Sequence, residues 1–532
     1  MNSSLATTVW SLAWIIPLAF LVYRIFTFGR REKFLPPGPP TIPILGNAHL
    51  LPSRGLHAKL KEWSDAYGSV YSLKVGRSTI VVLNDRKAIH ELLNQQGALF
   101  NDRPRDRQVF VSLGDENIAL MHEGPKWKLE RKIIGQYFSP KNLDTVLRPV
   151  QEAEISQLMF DLLERPGDFR SSVKRTTASI ATITLYGHRA PRFESFWGHV
   201  RLHSRKVHHL ILRKASKVLE PGTYLPVDQF PALKLVPHWL NKPLQNGEKF
   251  YRTMTGIWNE ARERVEDRRG KGDRRESLID RLLDEGEKMP LLPYTAFNNF
   301  LGGVEMGAAD TTATQMLTTI LFLAQHPEYQ EKARAEIDRV CGVERVPQWS
   351  DFDDLPYVNC IVKEGLRIRP VIPTGLPHSA KEDAWYSGML IPAGSTVFIP
   401  PSALNHDSNH YSVDPSAYNP DRYLSQASKL APELANAPVH AERDHYTYGA
   451  GRRMCPGIHL AERSQWRVVA QMLWAFRIER EAELDTSYGA YQEGLIHSLK
   501  EFRVRLVPRS EAHAEVIRRN FVRANGFLQQ WD

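Results

Sequence analysis

Hydrophobic positions change their spacing along this chain, and the spacing predicts different elements. Residues 9–28 read VWSLAWIIPLAFLVYRIFTF, a nearly continuous apolar run. A helix of that length rises about 30 Å, enough to cross the hydrocarbon core of a bilayer. Between Gly68 and Asn84, VYSLKV and TIVVLN alternate around Gly76-Arg77, which predicts a β-hairpin. Helical spacing then dominates, over 123–138, 259–269, 294–325, 327–340 and 354–369. Gly270-Lys271-Gly272-Asp273 predicts an exposed loop between helices. Strand signals return at 396–399, after the Ile391-Pro392-Ala393-Gly394 turn, and at 502–507. The expected fold is mainly α with small β-sheets, an α+β body with no linker after Pro40.

The apolar run has two readings. Pro17 interrupts it and Arg24 lies near its end, both tolerated in a membrane helix. A cleaved signal peptide would carry positive charge before the run and small residues at a cleavage site. No charged side chain precedes Arg24, and Arg30, Arg31 and Lys33 follow. Positive residues stay cytosolic, so the expected order is a lumenal segment 1–8, a transmembrane anchor 9–28 and a cytosolic body. Residues 29–40 hold the basic stop-transfer and Pro36-Pro37-Gly38-Pro39-Pro40, a stiff hinge or a plain linker. Residues 41–532 form the single cytosolic domain. The expected location is the endoplasmic reticulum membrane, single-pass. Asn2-Ser3-Ser4 is a sequon close to that membrane.

Composition adds limits. The 42% hydrophobic and 24% charged fractions allow a large buried core. Cys341, Cys360 and Cys455 are too few for a disulfide framework and suit a reducing compartment. The net charge of +9 would suit anionic partners, but the basic residues are spread and no nucleic-acid motif accompanies them.

The sharpest chemistry lies in Tyr448-Gly449-Ala450-Gly451-Arg452-Arg453-Met454-Cys455-Pro456-Gly457. Glycines let backbone approach something large and flat. Backbone N–H groups and a helix N-terminus stabilise a thiolate, and arginine pairs with carboxylates. A lone cysteine is otherwise core filler. Gly449-x-Gly451 lacks the third glycine and the leading strand of a dinucleotide loop.

This run resembles the cysteine-ligand loop of the cytochrome P450 family, Phe-x-x-Gly-x-Arg-x-Cys-x-Gly, with Tyr448 in place of Phe. Four further segments resemble that family. Glu364-Gly365-Leu366-Arg367 resembles its Glu-x-x-Arg motif, and Pro420-Asp421-Arg422-Tyr423 the segment that adds a second arginine. Gly307-Ala308-Ala309-Asp310-Thr311-Thr312 resembles its oxygen-side motif, with Ala308 where glycine is usual. Trp127-x-x-x-Arg131 resembles an element that contacts a haem propionate.

The resemblance implies heme b with its iron on the Cys455 thiolate. It implies Asp310 and Thr311 as proton relays, and Trp127, Arg131, Arg453 and His378 as propionate contacts. For His378 a satisfied surface histidine competes with that role. It also implies a buried charge network of Glu364, Arg367 and Arg422. Electrons would come from NADPH through a separate NADPH–cytochrome P450 reductase, with cytochrome b5 a further candidate donor. Lys126, Lys128 and Lys132 could dock such a donor or form a solvated face.

The variants look like those of fungal microsomal members that oxidise polyketides, terpenoids or other lipophilic metabolites. By family position, 109–121, 297–304, 371–374 and 495–496 could line the substrate pocket, or equally belong to the core. The expected activity places one atom of dioxygen in a lipophilic substrate and the other in water. Desaturation, ring closure or isomerisation would use the same site, and a haem electron carrier or sensor is a second alternative.

Overall fold

A computed structural model describes residues 18–20, 22–23, 27–198, 223–224, 226–286 and 292–532. Residues 9–17, 21 and 24–26 of the expected anchor lie outside the described residues. No helix among the described residues is long and apolar enough to cross a membrane.

The first half holds α1 (Leu56–Tyr67), β1 (Val70–Val75), β2 (Ser78–Leu83), α2 (Arg107–Leu113), α3 (Pro125–Tyr137), α4 (Arg148–Glu164), α5 (Phe169–Tyr186) and α6 (Lys242–Gly270). Then follow α7 (Tyr294–Gln325), α8 (Pro327–Cys341) and α9 (Pro356–Ile368). Four short strands come next: β3 (His378–Ser379), β4 (Ala384–Tyr386), β5 (Met389–Ile391) and β6 (Thr396–Phe398). The chain ends with α10 (Ile458–Ala475), β7 (Phe476–Arg480), β8 (Tyr491–Gln492), β9 (Ser498–Leu499), β10 (Val504–Pro508) and α11 (Glu511–Leu528).

The helix expected at 294–325 has those bounds. It is apolar all round, so it can only be a buried centre. It packs on α5, α6, α9 and α10. Leu317, Leu321, Ile361 and Leu473, all essentially inaccessible, belong to the largest apolar cluster around it. Gly365 lets α9 approach: a Cβ there would fall 2.5 Å from Thr319 Oγ1 of α7.

Three helix starts differ from the expected ones for physical reasons. The helix expected at 259–269 is the last third of α6, which begins where Asn241 Oδ1 caps the Leu244 N–H at 3.2 Å. Phe250, Met254, Ile257 and Trp258 extend its buried face backwards. Pro356 and Pro125 start α9 and α3, because proline fits the first helical turn. Helix α11 was not expected. Its aromatic anchors are distant in sequence: Phe521 stacks on Phe160 at 3.8 Å, and Trp474 meets His513.

The main sheet has the order β1-β2-β6-β3. The hairpin pairs Val70 with Leu83, and β6 joins β2 in parallel. Strand β3 closes the far edge, pairing His378 with Val397. The proline hinge is pinned to β1: the Ser72 N–H donates to Pro37 O at 2.8 Å, and Arg31 donates to both Ser72 oxygens.

Candidate active site

Cys455 lies in a tight loop leading into α10. Its N–H donates to Tyr448 O at 2.9 Å, which closes the loop. Gly451, at φ +63°, presses against the helical turn 90–95, where its N–H donates to Asn94 Oδ1 at 3.1 Å. A Cβ at Gly451 would stand 2.3 Å from Leu93 O. The Cys455 thiol is half-buried; like the buried Cys341 and Cys360, it is free. Burial pushes it up, while the Gly457 N–H and the Arg131 guanidinium favour the thiolate.

Beside this loop, arginines collect without a paired carboxylate among the described residues. Arg453 donates from Nε to Asn101 O at 2.6 Å, and its Cζ lies 4.0 Å from the Trp127 ring centroid. Among the described residues, its Nη1 and Nη2, and Trp127 Nε1, are buried donors with no hydrogen-bond partner. Arg131 donates to Met454 O at 2.8 Å, holding α3 against the cysteine loop. Arg103, also buried, donates to Ala119 O at 2.8 Å and Pro377 O at 2.6 Å. Among the described residues none of these three arginines forms an ion pair with a carboxylate. Burial pulls Arg453 down to about 10.

His378 is buried, not at the surface, and its Nδ1 lies 2.9 Å from Phe100 O. That carbonyl can only accept, so Nδ1 carries the proton. Burial, and then the Arg103 charge, pull His378 down to about 3.

Three orphaned donors in one buried corner match a group that brings carboxylates between α3 and the cysteine loop. A haem would bring two propionates to these donors and its iron to the Cys455 sulfur, which fits that donor set.

Asp310 and Thr311 are half-buried on α7. Thr311 Oγ1 donates to Gly307 O at 2.7 Å, one turn back. Nothing lies within 4 Å of where a Gly307 Cβ would be, so the helix is open there. Ala308 faces instead the small-residue contact with Ala178 and Ala181 of α5.

Glu364, Arg367 and Arg422 form one cluster. Arg367 donates twice to Glu364, at 2.6 and 2.7 Å, with both side chains fully buried. Arg422 Nε lies 3.2 Å from the same carboxylate, and Asn419 N–H donates to it at 2.7 Å. Spare Arg367 donors bind the carbonyls of Asn405, Pro415 and Ala417. Despite burial, Glu364 holds the Arg367 guanidinium above its ordinary value.

Two of the three lysines near Trp127 are locally engaged. Lys128 pairs with Glu123 at 2.8 Å, and Lys126 donates to Asp115 O at 2.7 Å.

Arg103 was not among the expected site residues. Its only local signal is the polar run Asn101-Asp102-Arg103-Pro104-Arg105, and its partners lie as far away as residue 377. Glu130 was also unexpected. It is fully buried on α3 with no partner for either oxygen, and burial pushes it up to about 8.

Comparison with known proteins gives the class. The family model for cytochrome P450 matches residues 36–500. The chain belongs to that family, whose members hold a haem iron on a cysteine thiolate. It is 37% identical to cytochrome P450 monooxygenase macC of Penicillium terrestre, over 95% of this chain and 96% of that one. It is 38% identical to cytochrome P450 monooxygenase yanC of Aspergillus niger, over 95% of each. It is 36% identical to cytochrome P450 monooxygenase acuD of Aspergillus aculeatus, over 100% of this chain and 99% of that one. The chain is thus an oxidoreductase of the monooxygenase class.

Proposed function

We propose that this protein is a membrane-anchored haem-thiolate monooxygenase of fungal specialised metabolism, acting on a lipophilic substrate. The observation that carries the site assignment is the set of unpartnered buried donors of Arg453 and Trp127, with Arg131, beside the Cys455 thiol.

In this reading Cys455 is the iron ligand. Arg453, Trp127, Arg131 and His378 hold the propionates. When bound, the haem supplies dioxygen activation, with the thiolate favouring O–O cleavage. The protein supplies orientation and protons. The Gly457 N–H and Arg131 stabilise negative charge on sulfur. Thr311 is fixed by its bond to Gly307 O, so its hydroxyl oxygen stays in place to accept a hydrogen bond over the open stretch of α7. Asp310, one residue away and half-buried, exchanges protons with solvent. Glu364, Arg367 and Arg422 lock the scaffold beneath the loop.

Residues 1–8 are read as lumenal, 9–28 as the anchor, 29–40 as the hinge and 41–532 as the cytosolic catalytic domain at the endoplasmic reticulum. Electrons come from a separate NADPH-dependent reductase. Asp310 and Thr311 favour oxygen insertion over chemistry that uses no dioxygen.

The test is a reduced, carbon-monoxide-bound spectrum of the parent and Cys455→Ala. The thiolate-type Soret band should appear in the parent alone. Its persistence in the variant overturns the ligand assignment. Product formed under labelled dioxygen should carry label; unlabelled product without oxygen uptake overturns the insertion chemistry.

A further inference from the structure

A second polar cluster lies on the same face of α7 as the proposed oxygen site, one to two turns away. Residues 299, 303, 306, 307 and 310 follow helical spacing and share one face. Gly303 is about 6 Å along the axis from Gly307, and Asn299 about 12 Å. Here the segment between α2 and α3 crosses α6 and α7. Glu116 Oε2 accepts from Tyr251 Oη of α6 at 2.9 Å and from Asn299 Nδ2 of α7. Asn299 Nδ2 also donates to Thr255 Oγ1 at 3.1 Å.

The carboxylate fixes which way the Asn299 amide points. Glu116 can only accept unless protonated, so the NH₂ faces it and Oδ1 faces away. Asn299 is 8% exposed, and that Oδ1 is buried with no donor. Asn299 borders a cavity of about 20 Å³, lined also by Glu116, Asn117, Gly303 and Met306 among others. That volume holds a single water-sized group. Two of its walls, Gly303 and Met306, adjoin Gly307 on the helix face.

Resting on the monooxygenase reading above, we propose that this cavity is a substrate anchor that takes one hydroxyl group, alcoholic or phenolic. The hydroxyl donates to Asn299 Oδ1. The carbon to be oxidised then lies over Gly307, several ångströms away along the helix. The Glu116 carboxylate repels an anionic group such as a carboxylate. A substrate lacking the donor leaves Oδ1 unpaired, and buried polar sites discriminate most strongly by that means.

The test uses the full-length holoenzyme and three matched probes: 4-phenylphenol, 4-methoxybiphenyl and biphenyl-4-carboxylate. Each is titrated by the Soret shift that accompanies binding. The phenol should bind about tenfold more tightly than its methyl ether, and the carboxylate more weakly still. In Asn299→Ala the phenol-to-ether ratio should collapse towards one. Glu116→Gln keeps the shape but removes the charge that orients the amide, and it should shrink the ratio and relieve rejection of the carboxylate. Binding of 4-phenylimidazole reports on the haem and should be unchanged in both variants. Equal binding of phenol and ether by the parent, or a preference that survives Asn299→Ala, overturns the anchor. Loss of the 4-phenylimidazole response in the parent overturns the haem reading instead.

Discussion

The Arg453 guanidinium lies over the Trp127 ring at 4.0 Å, and three N–H donors of the pair reach no acceptor. Buried donors are costly when unpaired, about 1–3 kcal/mol each. The pair is therefore shaped for an anion that arrives with the cofactor. Arg453→Ala should speed haem transfer to apomyoglobin at least tenfold. Trp127→Phe keeps the stacked ring and loses one donor, so its effect should be smaller, near fivefold. Equal rates in all three proteins would show that neither residue holds the propionates.

Gly451→Ala should abolish haem retention although it adds only one methyl group. The new Cβ would meet Leu93 O, a backbone atom that cannot rotate away, at a φ that disfavours side chains. Either the loop or the turn at 90–95 must shift, and Cys455 with it. The haem-to-protein absorbance ratio of purified protein measures this. Gly526→Ala, in α11 with open space around it, is the matched control and should keep the parent ratio.

The charge network should behave as an all-or-none lock. Glu364→Ala leaves Arg367 buried and uncompensated, which costs about 3–5 kcal/mol. That is a large part of the stability of an ordinary domain, so the variant should accumulate mainly unfolded. Arg422→Ala leaves the Glu364–Arg367 pair intact and should lose less. Thermal unfolding of the two variants orders them.

Much of this site was legible in the sequence because its residues come in short spacings. The Cys455 loop, the Glu364–Arg367 pair and the Asp310-Thr311 step are each read within ten residues. Helix α7 was legible for a different reason: thirty-odd residues of apolar character leave little choice of fold. What stayed hidden depends on pairing over long separations. Arg103 looks like any surface arginine until Pro377 is placed beside it. His378 gave no sign of burial, because its partner Phe100 lies far away in sequence, in a bend of the first half of the chain. Glu116 gained meaning only when α6 and α7 met at one carboxylate.

Glu130 should make stability fall as pH rises. Burial raises its carboxyl to about 8 in the folded state, against an ordinary 4.5. The folded protein therefore holds this proton more tightly than the unfolded chain does. Its favourable contribution is complete below about pH 4.5 and is lost as pH rises to about 8. Glu130→Gln removes that dependence and should raise the melting temperature at pH 8 relative to the parent, with little change at pH 5. An unchanged difference across that range would place the proton elsewhere.

Thr311→Val should separate oxygen consumption from product formation. Valine has nearly the same shape, so the helix and the open stretch at Gly307 should persist. The hydroxyl that bonds Gly307 O is lost, and with it the only oxygen that Thr311 places over that opening. Substrate binding does not need this group, so the Soret shift on binding should stay within about twofold. Proton delivery by a positioned group is commonly worth about 10²–10⁴ in rate, and a partial loss suffices to let reduced oxygen escape as peroxide. Product per NADPH should fall about tenfold, with hydrogen peroxide making up the difference. Thr311→Ser restores a hydroxyl at the same atom and should recover most of the coupling. If Thr311→Val stays coupled while Asp310→Asn does not, the proton route runs through Asp310 without Thr311.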